Sequence, residues 1–330
     1  MSVASQTAPS GVSRRKVYTI MILIILLGLI GFIMSYLLNT NPASVLAPLT
    51  GPVGDQTPQP QFMIYGTFGE GQFNKPMDVA VINERVFVSD TNKQRIQVFD
   101  YDGKFLKRFG EKGNGEGQFQ FPYGIAGDSQ GNVYVADLYL GRISVFDQEG
   151  NFLKYFTEEA VLDGPGDIVI KDDKLYVTDI NKSKILVFNL AGEKLLEFGE
   201  PGRATGQMLA PNGIAVDDDG NMYVVDTGNS RVGVYGPEGN LINLFNGAPQ
   251  GQQSVFVNPR GISIRGDTLF VVSNLTHVIY SFDLNGEMKE KFGSLGNMND
   301  QFMLPNGLFI DENSRIYISD AGNHRVAVYR

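Results

Sequence analysis

Five acidic residues each stand five positions ahead of a base: Asp90/Arg95, Asp137/Arg142, Asp179/Lys184, Asp226/Arg231 and Asp320/Arg325. A ring of carboxylates could in principle do acid–base work. Active sites are asymmetric, however, and a pair repeated this often at one spacing reads as an ion pair pinning a turn. The only histidines are His277 and His324, so a three-histidine zinc site cannot be assembled, and with no Cys there is no thiolate ligand, nucleophile or disulfide. Acidic runs at Asp172-Asp173 and Asp217-Asp218-Asp219 lack the six to eight oxygens that calcium takes, and read as solvated turns. A calcium ion on a molecular axis would need carboxylates and amides from several strands. Asp78 and Asp167 stand where four sister positions carry Gly, which is two carboxylates and no more. No nucleophile–base constellation is visible, and neither a catalytic residue, a metal ligand nor a cofactor is expected.

These residues recur because the elements carrying them recur. A Pro followed two residues later by Gly or Asp and an apolar run occurs at Pro76, Pro122, Pro165, Pro211, Pro259 and Pro305. An acidic or amide residue closes a second apolar run at Asp90, Asp137, Asp179, Asp226, Asn274 and Asp320. A Phe ends a fourth at Phe109, Phe156, Phe198, Phe245 and Phe292, with Gly103, Gly150, Gly192, Gly239 and Gly286 marking the preceding turn. Short runs rich in Val, Ile, Tyr and Phe between Gly, Asn and Asp are strands joined by tight hairpins. The unit is a four-stranded antiparallel meander, present six times.

The sixth copy ends at Arg330 after its third strand. Met63–Gly69 aligns with Lys104–Gly110, so residues 62–68 are expected to supply the missing outer strand, burying Ile64 and Phe68 and closing a ring without an unpaired edge. Units of this length in a closed ring make an all-β six-bladed propeller. DTGNSRV (226–232), DAGNHRV (320–326), PNGIAVD (211–217) and PNGLFID (305–311) resemble NHL repeats. The resemblance covers residues 62–330. It is specific in copies one, four and six, and looser in copies two and three. In copy five Asn274 stands for the Asp, the base is missing and one residue is absent. What it implies is a six-bladed propeller serving as a docking platform, with some members of the wider group acting as metal-dependent lactonases or lyases in the central channel.

Residues 17–38 carry no charge, and at about 1.5 Å per residue a helix of that length spans a bilayer core of roughly 30 Å. Arg14, Arg15 and Lys16 precede it and no base follows until Lys75. The expectation is a single-pass signal anchor: a cytoplasmic tail (1–16), a transmembrane helix (17–38), a Pro-rich spacer (39–61) and an extracytoplasmic propeller (62–330) in the cell membrane. The propeller holds 24 Lys and Arg against 35 Asp and Glu, which argues against nucleic acid as a partner.

Recognition is then expected at one mouth of the channel. Residues after the landmark prolines (Tyr123, Asn212, Arg260 and Asn306) and in the loops between strands two and three (Tyr139, Asn229 and His324) vary between copies while the framework repeats. The expected function is a protein- or ligand-binding or assembly platform and not an enzyme. The runner-up is an extracytoplasmic metal-dependent hydrolase or lyase with its site in the channel.

Overall fold

The computed structural model describes residues 57–67, 69–157 and 161–330. The expected tail, transmembrane helix and most of the spacer lie outside the described residues, as does Phe68. Among the described residues no helix is long and apolar enough to cross a membrane.

Six four-stranded antiparallel sheets follow one another. Blade 1 comprises Pro76–Ile82, Arg85–Asp90, Arg95–Asp100 and Phe105–Phe109, and blades 2 to 5 repeat that order. The innermost strands are Pro76–Ile82, Pro122–Gly127, Pro165–Lys171, Pro211–Val216, Pro259–Arg265 and Pro305–Ile310. Each lies beside the next, and the sixth returns to the first. Six separate apolar cores fill the six interfaces between neighbouring blades. One interface joins Val79 and Val88 of blade 1 to Tyr317 and Val326 of blade 6, so the ring is closed.

The closing strand is Pro60–Ile64, paired antiparallel with Arg325–Tyr329. Ile64 opposes Val326, as Phe109 opposes Ile96 in blade 1. Ile64 therefore takes the place of the terminal Phe, and the strand is shifted four residues from the alignment expected from sequence. The physical reason lies in Gly103, whose φ is +83° and whose Cα faces Phe62 and Ile64 with no room for a side chain. Gly150 and Gly286 stand in the same relation to Phe109 and Phe245 of the preceding blades. The spacer also ends earlier than expected: Pro60 and Gln61 belong to the strand, and Gln59 exchanges main-chain hydrogen bonds of 2.8 and 3.0 Å with Arg330.

A landmark not used above is equally regular. Three residues before each landmark Pro stands Phe73, Phe119, Leu162, Met208, Phe256 or Phe302, each buried between blades. Burial of such a side chain is worth about 2–3 kcal/mol, and six of them explain why the connections between blades are held firmly.

Candidate functional site

The Asp–base pairs are turn chemistry in three blades. Arg95, Arg231 and Arg325 donate through Nε to Asp90, Asp226 and Asp320 at 2.7, 2.9 and 2.8 Å. Arg325 also donates to the carbonyls of Asn297, Met298 and Gln301, tying the connection between blades to the turn. In blade 2 Asp137 accepts main-chain N–H groups instead, and Arg142 donates to Asn114 and Gly115 carbonyls. In blade 3 Lys184 pairs with Glu197. The expected pairs are thus absent from blades 2 and 3, where side-chain geometry favours other partners.

Blade 5 also differs from expectation. Pro259 opposes Ser273, as Pro76 opposes Asp90, so Ser273 replaces the Asp and Val278 the base, with no residue absent. Ser273 Oγ accepts the Val257 N–H at 2.9 Å, the bond Asp90 takes from Asn74. Asn274 stands in the place of Thr91 and Thr227. Its amide donates to the Pro305 carbonyl at 2.8 Å, as those hydroxyls donate to Pro122 and Pro259 at 2.7 Å.

The histidines are stitches of the same kind. His277 and His324 sit at left-handed turn positions, and their Nδ1 atoms accept the Leu304 and Lys75 N–H groups, both at 3.1 Å. Asp217 is buried and accepts the Asp219 and Asn221 N–H groups and the Tyr223 hydroxyl, so that acidic run is a pinned hairpin turn.

The remaining candidates converge on the axis. Every innermost strand has a register shift just after its Pro in blades 1 to 6, which re-aims the next side chains. Tyr123 Oη lies 2.9 Å from Asn212 Oδ1 and 3.1 Å from Asn306 Oδ1. A phenol has one proton, so one amide is turned to donate to it. Asn306 Nδ2 already faces Met77 Sδ at 3.4 Å, which leaves Asn212 as the amide that turns. Met77, Tyr123, Asn212 and Asn306 are all buried. They close the channel at this end. Three of the expected recognition residues are therefore brought together, but as a plug and not around an open mouth. Arg260 lies half-buried in the same layer. Asn229 is held by Asp226 and the Gly202 carbonyl, and His324 by Lys75. Tyr139 remains on the surface, 67% exposed and packed on Phe121 beside a 550 Å³ recess that Asp163 and Lys182 also line.

Beneath the plug lie Asp78 and Asp167, sharing the ring with Gly124, Gly213, Gly261 and Gly307. A Cβ on Gly307 would stand 2.2 Å from Asp78 Oδ1, and one on Gly124 2.4 Å from the Gly166 carbonyl, so glycine is required where the strands crowd the axis. Asp78 accepts the Ile125 N–H at 3.0 Å. Asp167 accepts those of Ile168 and Ile214 at 2.8 and 3.1 Å. Each carboxyl thereby fastens its strand to the next blade. Burial pushes the Asp78 carboxyl well above the usual carboxylate range, and the neighbouring Asp167 charge adds to that. Burial pushes Asp167 up to about 7. Both line a cavity of 460 Å³ walled by the innermost strands, where Ile, Val, Leu and Ala stand with Ser263 and Phe309, and whose opposite end carries Lys171, Asp217, Asp218 and Glu312. The channel is thus plugged on the side of the landmark prolines and opens on the side of the turns between strands one and two. Among the described residues no three His, Cys, Asp or Glu side chains converge as metal ligands. The donor set falls short of what a channel metal centre requires.

This fold, with an axial plug and a one-sided cavity, defines a closed propeller. The chain belongs to the family described as 6-bladed beta-propeller, whose model matches residues 61–156 and 151–244. It is 29% identical over 192 residues to Protein brain tumor of Drosophila melanogaster, covering 56% of this chain and 14% of that one. It is 27% identical over 135 residues to the B-box type zinc finger protein ncl-1 of Caenorhabditis elegans, covering 40% and 15%. The chain thus spans about one seventh of the length of these relatives. A catalytically inactive virginiamycin B lyase from Staphylococcus aureus, solved with quinupristin, superposes with a TM-score of 0.57 at 17% identity over 80% of this chain and 82% of that one. At that identity the likeness shows the fold alone.

Proposed function

We propose that the chain is a membrane-anchored docking platform, with its N-terminus cytoplasmic and its propeller extracytoplasmic, that recruits a protein through the face bearing the strand two–three turns. The observation that carries this reading is an apolar patch over blades 5 and 6. Val257, Leu275, Leu295, Met298, Met303 and Leu304 are each between 38 and 63% exposed. The loops that bear them meet: the Leu275 N–H donates to the Val257 carbonyl at 3.2 Å, and the Leu304 N–H donates to His277 of the adjoining turn. Residues 246–258 carry no charge and 293–304 only Asp300. An apolar patch with a single charge on loops, over a scaffold that repeats, is what a protein contact requires. The membrane reading rests on the uncharged run 17–38 behind Arg14-Arg15-Lys16.

Two experiments test this. A photo-crosslinking residue at Met298, in intact cells, should give an adduct of defined mass that the same group at Leu195 on the rim does not; equal labelling at both sites would sink the docking face. Protease added to intact cells should release a fragment beginning within 39–59, whereas protection until lysis would overturn the orientation.

A second reading, a hydrolase or lyase working in the channel, is favoured by one observation: two axial carboxyls, one buried and one half-buried, pushed above the usual range at the end of an accessible cavity. The donor set leaves it second. Calcium or zinc near one per chain in the purified protein would promote it.

A further inference from the structure

We infer that the axial cavity binds an organic ammonium ion carrying an aliphatic chain, its nitrogen seated between Asp78 and Asp167 and its tail along the aliphatic wall. This site is separate from the docking face, on the opposite end of the channel. Three observations point to it. The first is the cavity itself, 460 Å³ and lined by partly exposed aliphatic side chains among main-chain and carboxylate polar groups, within the size range of small-molecule sites.

The second is an imbalance of charge. Asp78 is only 7% exposed and Asp167 half-buried, yet neither has an ion-pair partner among the described residues. Each takes main-chain N–H bonds, which occupy part of its acceptor capacity. The bases near the cavity are committed elsewhere or stand off. Lys171 is paired with Asp218 at 2.6 Å, and Arg265 donates to the Asp311 and Glu312 carbonyls. Arg260 acts on Tyr123 from the plug side. Buried carboxyls without a counter-charge either hold a proton or take a cation.

The third observation selects the kind of cation. A calcium or zinc ion would need further oxygen or nitrogen ligands, and no third acidic or histidine side chain converges here. An alkylammonium needs only two or three acceptors for its N–H groups and an apolar surface for its tail, and the partly exposed Val81, Ile170, Ile264 and Ile310 supply that surface. At the mouth Lys171 and Asp218 offset each other, and Asp217 and Glu312 give the approach a cation-attracting sign.

The test uses the full chain and isothermal titration at pH 8 with ethyl-, butyl- and hexylammonium, with 1-hexanol, hexanoate and calcium chloride as comparison probes. Affinity should rise about four-fold per methylene along the amines, with hexanol at least ten-fold weaker than hexylammonium and hexanoate and calcium showing no binding. Hexylammonium binding should weaken several-fold from pH 8 to pH 6 as Asp167 regains its proton; the other titratable or charged groups facing the cavity are Asp78, Tyr123, Arg260, Lys171, Asp217, Asp218 and Glu312. Asp167→Asn and Ile264→Phe should each reduce it at least ten-fold, the first by removing charge and the second by filling the wall. Equal binding of hexanol and hexylammonium, binding of hexanoate, or calcium displacing the amine would each overturn the inference. Should either variant fail to fold, the amine series and its pH dependence on the unaltered chain decide the matter alone.

Discussion

Replacing Ile64 by Ala should cost the propeller about 3 kcal/mol, although Ile64 lies in the first strand of the described chain, far in sequence from the blade it completes. Ile64 is 2% exposed and packs in the core that joins blade 6 to blade 1, with Val326, Val328, Tyr317 and Phe99. Truncation to Ala removes three carbons from a core bounded on one side by Gly103, whose backbone cannot follow the lost side chain inward. Transfer accounts for roughly 2 kcal/mol at about 0.8 kcal/mol per methylene, and the residual cavity adds about 1 kcal/mol. In a domain of this size that is a fall in Tm of roughly 6 °C. The assay is urea and thermal unfolding followed by tyrosine fluorescence, the chain having no Trp. Gln61→Ala, at an exposed position of the same strand, is the comparison and should change stability by less than about 0.5 kcal/mol. If Ile64→Ala is as mild as Gln61→Ala, the strand does not pair in this register and the closure of the ring must be reconsidered.

Stability should also fall as pH rises. The folded Asp167 carboxyl holds its proton up to about 7, against about 3.9 when unfolded, so its stabilising contribution is complete below pH 4 and lost as pH climbs through 7. The loss is on the order of 3–4 kcal/mol, with Asp78 acting in the same direction; urea midpoints at pH 5 and 8 read it, and Asp167→Asn should flatten the slope. Arg325→Gln leaves buried Asp320 without its ion pair and should cost about 3–5 kcal/mol, while Lys184→Gln, on a more exposed pair, should cost under about 1 kcal/mol in the same unfolding assay. Tyr123→Phe unmakes the plug's hydrogen bonds to Asn212 and Asn306 and should cost about 1–2 kcal/mol by calorimetry; a neutral result would mean the amides are satisfied without it.

Local chemistry made the blades legible in the sequence. Alternation, turn residues and the landmark prolines are properties of stretches of four to eight residues, and they marked five full meanders, a sixth lacking its outer strand, and the need for a strand to complete it. The buried residue three before each Pro was equally readable, since it recurs at one spacing in all six copies. What local pattern did not carry was register between distant strands. Ile64 replaces Phe109's counterpart because Gly103, some forty residues away, leaves room for it, and Ser273 replaces an Asp because Pro259 lies opposite. Arg142 and Lys184 likewise found partners outside their turn. The candidate site was decided only by closure of the ring. Tyr123, Asn212 and Asn306 lie on three different blades, as Asp78 and Asp167 lie on two. No spacing along the chain states that the first three meet as a plug, or that the two carboxyls face one cavity without a counter-charge. Blade twist and the crowding of six strands around one axis set those distances, and they exist only once the ring has closed.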